Sequence, residues 1–229
     1  MNKKKNSEEA YESIRKLILS VEIHPGQSVT EHSLSEHLGM GRTPVREALA
    51  KLEAEGLIFS QNGRKTVYVL TIDEIKEIFD IKYALEGAMA YWAAERGSAA
   101  EKRKLNEIME RMVEFANKRP ENEEERERYL SEWTRHDKDL HRQIFIMAKS
   151  PKAQKIIENL NVRWFRTRIS MYAIEGRIVR SSKEHQKFVN YIVSGEPEKA
   201  EEAMKEHLAT IKKEIEQVMK LFNYPVQAL

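Results

Sequence analysis

The reading starts from GRTPVREALAKLEAEGLI, residues 41–58. Thr43-Pro44 reads as an N-cap followed by proline at the first helical position, where the missing N–H leaves no bond unmade. Val45, Ala48, Leu49 and Leu52 then recur at helical spacing, and Gly56 ends the run. Arg42 and Arg46 stand four apart at the start of this helix and off its apolar stripe, so both guanidinium groups face away from a core. Upstream, Thr30 caps a shorter helix carrying Leu34 and Leu38, which Gly39 stops. Before that, Ala10, Ile14, Leu17, Ile18 and Val21 mark a first helix, broken at His24-Pro25-Gly26. Downstream, two β-prone runs, 57–60 and 66–70, flank Gln61-Asn62-Gly63-Arg64, where Asn-Gly is a strong hairpin signal. Three helices and a hairpin predict a winged helix-turn-helix over residues 1–70.

From residue 71 to 229 the pattern is helical throughout. Thr71-Ile72-Asp73-Glu74, Ser98-Ala99-Ala100-Glu101 and Ser181-Ser182-Lys183-Glu184 each match a capping box, and Ser150-Pro151 matches a cap followed by proline. Gly97, Gly176 and Gly195 fall near helix ends. The charge run at 121–128 reads as a solvated helix start. About six helices with short connections fit between residues 72 and 222. The fold expected is therefore mainly α: a winged helix-turn-helix with a small β-hairpin, then an all-α antiparallel helical bundle.

Composition narrows the function classes. The chain has 229 residues with 39 Lys and Arg against 37 Asp and Glu, a net +2, so any nucleic-acid surface must be local rather than global. It has no cysteine, which excludes a disulfide framework, a thiol nucleophile and a Cys-based zinc site. No stretch approaches the length of apolar residues that spans a membrane, and the basic start is followed by amphipathic sequence rather than a signal-peptide core, so a cytoplasmic location without a membrane partner is expected.

In a helix-turn-helix the second helix enters the major groove, and the side chains near its N-terminus read the bases. Arg42 and Arg46 have the planar fork that matches guanine O6 and N7, and Thr43 with the helix N-terminus suits a phosphate. Arg64 and Lys65, at the hairpin tip, can reach the backbone or minor groove. The other reading of these arginines is simple solvation.

Seven histidines are present, and three lie on apolar stripes. Leu130, Trp133, Asp137, Leu140, His141, Ile144 and Ala148 make one face, so Asp137 and His141 point inward together. His185 heads a stripe with Phe188, Val189 and Ile192, and His207 sits among Ala200, Met204, Leu208, Ile211 and Ile215. His24, His32, His37 and His136 fall on turns or polar faces. Inward polar groups need partners, and neutral imidazoles with a carboxylate suit a borderline divalent metal: zinc first, nickel or manganese as alternatives. Separate hydrogen bonds for each buried histidine are the competing explanation. No inward carboxylate beyond Asp137 is evident beside the cluster. In the helix after Pro151, the stripe through Ala153, Ile156, Ile157, Leu160 and Trp164 passes Arg168, with Arg163 beside it. Either an inward arginine clamps a carboxylate or both snorkel at the rim.

The run 41–58, with Pro25-Gly26 and Thr30-Glu31-x-x-Leu34-Ser35 upstream, closely resembles the signature of the GntR family of bacterial transcription regulators. The resemblance implies a homodimer that sets two winged helices on a near-palindromic double-stranded operator, with Arg42, Thr43 and Arg46 touching DNA. In place of the family's usual Gly-x-Gly-like wing turn, this chain has Asn62-Gly63-Arg64-Lys65-Thr66. Asp137-x-x-x-His141, Glu184-His185 and His207-Leu208 resemble the metal-binding pattern of the FCD domain in the FadR-like branch. That implies Asp137, His141, His185 and His207 as metal ligands and a small organic acid as effector. In Asp80-Ile81-Lys82-Tyr83-Ala84-Leu85-Glu86, lysine replaces the family's common arginine at the effector-anchoring position, where Lys82 can still meet a carboxylate as a point charge. The function expected is a DNA-binding regulator, not an enzyme, that senses a small carboxylate through a metal-containing domain. The alternatives are a regulator of the metal itself and a metal-dependent hydrolase.

Overall fold

The computed structural model of the chain describes residues 2–20, 22–172 and 174–221, with side chains described at 6–20, 22–161 and 174–221. The main break between its two compact units falls between Thr71 and Ile72. The first unit contains α1 (Asn2–Leu19), β1 (Ser28–Val29), α2 (Glu31–Leu38), α3 (Arg42–Ala54), β2 (Ile58–Gln61) and β3 (Arg64–Val67). Val21, expected on the apolar face of the first helix, lies outside the described residues.

Local chemistry accounts for these boundaries. Thr30 accepts from the Ser33 amide while Ser33 returns the bond, and Gly39 closes α2 in the left-handed conformation at φ 63°. Asn62 and Gly63, at φ 50° and 75°, form the paired left-handed residues of a type I′ hairpin turn. Helix α3 begins two residues earlier than expected, at Arg42, with Gly41 as N-cap. Pro44 still fits, because the amides of the first helical turn have no intrahelical acceptor for proline to remove. Strand β1 was not expected: its two residues are too short to show alternation. It joins the hairpin as Ser28 opposite Thr66 and Val29 opposite Lys65, giving the order β1-β3-β2. Ile14, Ile18, Leu34, Val45, Leu49, Leu52 and Val67 are buried in one shared core, which holds α3 with a fixed outer face.

The six expected helices follow among the described residues: α4 (Ile72–Arg96), α5 (Ala99–Ala116), α6 (Glu123–Ala148), α7 (Pro151–Tyr172), α8 (Arg177–Ser194) and α9 (Pro197–Leu221), all in the second unit except residues 161–166 of α7. The Ser98–Glu101 capping box forms as read, and Asn122 caps α6 through the Glu125 amide. The Ser181–Glu184 box does not form. Helix α8 starts one turn earlier, after Gly176 at φ 71°, which puts Ser181 and Glu184 in its interior. Helix α4 packs on α6, α8 and α9. It lies so close to α9 at Gly87 that a Cβ there would come within 2.8 Å of the Lys205 Cε. Its buried stripe runs Ile75, Ile78, Phe79, Met89, Ala90 and Ala93, interrupted by two equally buried charged residues, Lys82 and Glu86. Among the described residues, no helix is long and apolar enough to cross a membrane.

Candidate nucleic-acid interface and metal centre

Burial of Val45, Ala48, Leu49 and Leu52 turns the opposite face of α3 to solvent, and Arg42 and Arg46 are both exposed there, one turn apart. Thr43, between them, is half-buried. Gly41 supplies no side-chain acceptor to the first-turn amides. Those donors and two guanidinium forks therefore share one end of the helix, the arrangement that suits phosphate and base-edge contacts together. Arg64 is exposed at the hairpin turn, whereas Lys65 is directed back into the unit, onto Glu53 and, at 3.0 Å, Ser60 Oγ. The wing thus presents arginine outward more fully than lysine.

In the second unit, α6, α8 and α9 bring His141, His185 and His207 together, with one ring nitrogen from each lying within 4.8 Å of the others. The His141 and His185 Nε2 atoms are 3.3 Å apart. Asp137 Oδ1 lies 3.0 Å from His185 Nε2 and 4.0 Å from His141 Nε2. Phe188 packs against all three rings, with centroid separations of 5.2 to 6.0 Å. All four predicted metal ligands therefore converge, with Asp137, His185 and His207 buried and His141 partly exposed.

The far side of each ring decides what the near side offers. His185 Nδ1 donates to the Ser181 carbonyl at 2.5 Å, His141 Nδ1 faces Glu86 Oε2 at 3.2 Å, and His207 Nδ1 faces Glu184 Oε2 at 2.7 Å. Each outer acceptor selects the Nδ1–H tautomer and leaves an Nε2 lone pair for the cluster. Lone pairs of two imidazoles, 3.3 Å apart and beside a carboxylate oxygen, repel one another unless a cation lies among them. A proton on His185 or His207 is a poor candidate. Burial, followed by the neighbouring His141, pushes the His185 pKa down to about 3, and burial likewise holds His207 well below the ordinary imidazole range. A divalent metal takes neutral imidazole directly, and zinc with Zn–N near 2.0–2.1 Å sets its donors about 3.3 Å apart. The residues present fit such an ion.

Glu86 and Glu184 revise the expectation that Asp137 is the sole carboxylate at the cluster. The sequence places Glu86 only within the 80–86 stretch, and Glu184 as half of a capping box and beside His185 in the metal-binding pattern, neither as a carboxylate at the cluster, yet each lies against a ring nitrogen of a predicted ligand. Burial alone would raise the Glu86 pKa, but Lys82 and His141 outweigh it and keep the carboxyl ionised. Arg177, also unforeseen, is completely buried and donates to both Glu184 oxygens at 3.2 Å. The missed signal in α4 was a pair of charges, Lys82 and Glu86, lying on an apolar stripe. Lys82 sits inward as an effector anchor requires and is paired with Glu86. The side chains of Arg163 and Arg168, the other expected effector contacts, lie outside the described residues. A groove of about 560 Å³ between α5 and α6 is lined by Lys104, Arg111, Arg135 and Arg142 among others and shares no residue with the histidine cluster.

The depressed imidazole pKa values give a signed pH dependence. A group that is harder to protonate in the folded chain contributes stability that is complete above its unfolded pKa, near 6.5, and declines as pH falls toward the folded value. The metal-stripped chain is expected to melt at a lower temperature at pH 5 than at pH 7.5, having lost up to about 1.4 kcal/mol of stability per pH unit below 6.5 for each such histidine. Equal melting temperatures in the two buffers would contradict the buried neutral rings.

Comparison with known proteins accords with both halves. Residues 6–67 match the family described as bacterial regulatory proteins, gntR family, and residues 77–210 match the FCD domain. An uncharacterised helix-turn-helix regulator of Agrobacterium vitis, from the TAR-I ttuE-ttuC' intergenic region, is 40% identical over 83 residues, covering 35% of this chain and 48% of that one. A protein of Escherichia coli K12 assigned as regulator of the L-lactate dehydrogenase operon is 26% identical over 238 residues, covering 90% of this chain and 84% of that one. The solved structure of E. coli McbR/YncC has the same fold, with a TM-score of 0.70 at 20% identity over 93% of this chain and 98% of its own. The chain belongs to the GntR family of bacterial regulatory proteins, as a DNA-binding transcriptional regulator with an FCD domain rather than an enzyme.

Proposed function

We propose that this regulator senses a small organic acid through a divalent metal held by Asp137, His141, His185 and His207. The observation that carries the reading is the convergence of three histidine rings, one nitrogen of each within 4.8 Å of the others, whose Nδ1 atoms are each held by an acceptor. Zinc suits this donor set best, with nickel and manganese as alternatives. When bound, such an ion would supply Lewis acidity to a ligand carboxylate. The chain's own residues do the rest: Phe188 packs against all three rings, Asp137 adds negative charge, and Lys82 stands beside the site as a cation for the same carboxylate. Arg163 and Arg168 remain candidates for that contact. The relative assigned to an L-lactate dehydrogenase operon supports an acid of this class.

Arg42, Thr43 and Arg46 are assigned to the operator, with Arg64 and Lys65 at the wing. A homodimer in the cytoplasm, on a near-palindromic site with half-sites roughly 34 Å apart, matches the two-fold logic of helix-turn-helix proteins. For sensing to occur, the acid must bind two arrangements of the protein unequally, because a ligand indifferent to both shifts neither.

Fluorescence anisotropy with a duplex from upstream of the protein's own gene tests the reading. Small carboxylic acids are expected to change operator affinity in the zinc-loaded protein and not in the stripped one. A response to zinc alone would make the metal the signal, and no response to either would remove the sensing claim.

A further inference from the structure

We propose that the buried Lys82–Glu86 pair couples effector to metal: a ligand carboxylate that takes over the Lys82 ammonium returns the charge of Glu86 to His141, so ligand and metal strengthen each other's binding. This inference rests on the metal site proposed above and adds the route by which the two ligands communicate.

Among the described residues, two cation–carboxylate–imidazole chains reach the cluster, and they differ in the cation. In the first, Arg177 donates to both Glu184 oxygens at 3.2 Å and lies 2.5 Å from Glu214 as well, and Glu184 faces His207. Its planar fork meets two carboxylates at once, so it cannot change partner without breaking several contacts. In the second, Glu86 divides its two oxygens: Oε1 meets the Lys82 ammonium and Oε2 faces His141 Nδ1 at 3.2 Å. An ammonium is a point charge on a flexible stem and accepts a new carboxylate without a demand on angle. The α4 chain is the exchangeable one.

The direction of coupling follows from charge. Lys82 and Glu86 are both buried, where charges act on one another far more strongly than in water. The ammonium draws the Glu86 carboxylate toward itself and also repels any cation among the histidines. A ligand anion that neutralises Lys82 removes that repulsion, and a fully available Glu86 makes His141 a stronger donor through its Nδ1–H. Binding free energies are reciprocal, so whatever the acid does for the metal, the metal does for the acid.

The test is zinc affinity, measured on the metal-stripped full-length chain by competition with a chromophoric chelator. Glu86→Gln is expected to weaken zinc by about tenfold or more, in the range for residues that orient metal ligands. Lys82→Met is expected to tighten it by about fivefold or more, in the range of typical coupling between sites. A purely structural pair would shift both variants toward weaker binding, so opposite signs support the proposal and equal signs overturn it. Lys82→Gln, which removes the charge but keeps a donor for Glu86, gives the same sign test if the methionine variant does not fold. Acetate, which carries the carboxylate and little else, should tighten zinc in the parent chain and not in Lys82→Met. An equal response of the two chains, including none, overturns the exchange. Failure of the parent chain to bind zinc would instead refute the metal site itself, which separates the two claims.

Discussion

Replacing His185 by alanine is expected to lower zinc affinity by more than about 100-fold, beyond the range seen when only an orienting residue is lost. His185 is fully buried, and its Nε2 is 3.3 Å from the His141 Nε2 and 3.0 Å from Asp137 Oδ1, so one substitution removes the donor that faces both. The surrounding bundle does not depend on this ring alone: Trp133 and Phe188, whose rings pack beside it, are themselves fully buried. The variant should therefore fold and yet carry almost no metal. Elemental analysis of purified protein checks it, with close to one zinc per chain in the parent and close to none in the variant. Metal content equal to the parent's would remove His185 from the ligand set.

Replacing Arg46 by alanine is expected to weaken operator binding by about 5- to 150-fold, the equivalent of one bidentate guanine contact worth roughly 1–3 kcal/mol. The loss should fall mainly on the specific site, because a base contact carries sequence information that non-specific DNA does not repay. Arg64→Ala offers the contrast. A wing arginine on the phosphate backbone should weaken all duplexes alike and reduce the salt dependence by about one unit of slope. Anisotropy titrations with operator and scrambled duplexes at several salt concentrations distinguish the two. Full operator-specific binding by Arg46→Ala would overturn the assignment of the α3 N-terminus to base reading.

The winged unit was legible because its signals are local. Asn62-Gly63, Thr30 with Ser33, and the Val45–Leu52 stripe each specify a turn, a cap or a face within a few residues. Strand β1 escaped because its existence depends on β3, almost forty residues away, and not on any pattern in Ser28-Val29. The start of α3 was misplaced for a related reason: a proline tolerated anywhere in the first turn does not say which position of that turn it holds.

In the bundle, Asp137, His141, His185 and His207 could be picked out because histidines on apolar stripes are rare enough to be noticed. Helical spacing showed that each faces inward, but not that the three rings meet. The groups that orient them were harder to see. Glu184 fits a capping box in sequence and lies in a helix interior in space, since Gly176 starts α8 one turn earlier. Lys82 and Glu86 are four apart, the spacing of countless solvated helix pairs, and become unusual only when α6, α8 and α9 are known to enclose α4. Arg177 stands at the first position of its helix, where a charged residue normally meets water. Its burial is a product of packing between α8 and its neighbours that no short motif encodes.

Histidine side-chain nitrogen spectra of the stripped protein, before and after one equivalent of zinc, address the central claim most directly. The account predicts that His185 and His207 begin as neutral Nδ1–H tautomers and that zinc shifts the Nε2 resonances of these two and of His141 while His24, His32, His37 and His136 stay in place. Nε2–H tautomers in the stripped chain, or a zinc response spread over the exposed histidines, would contradict it.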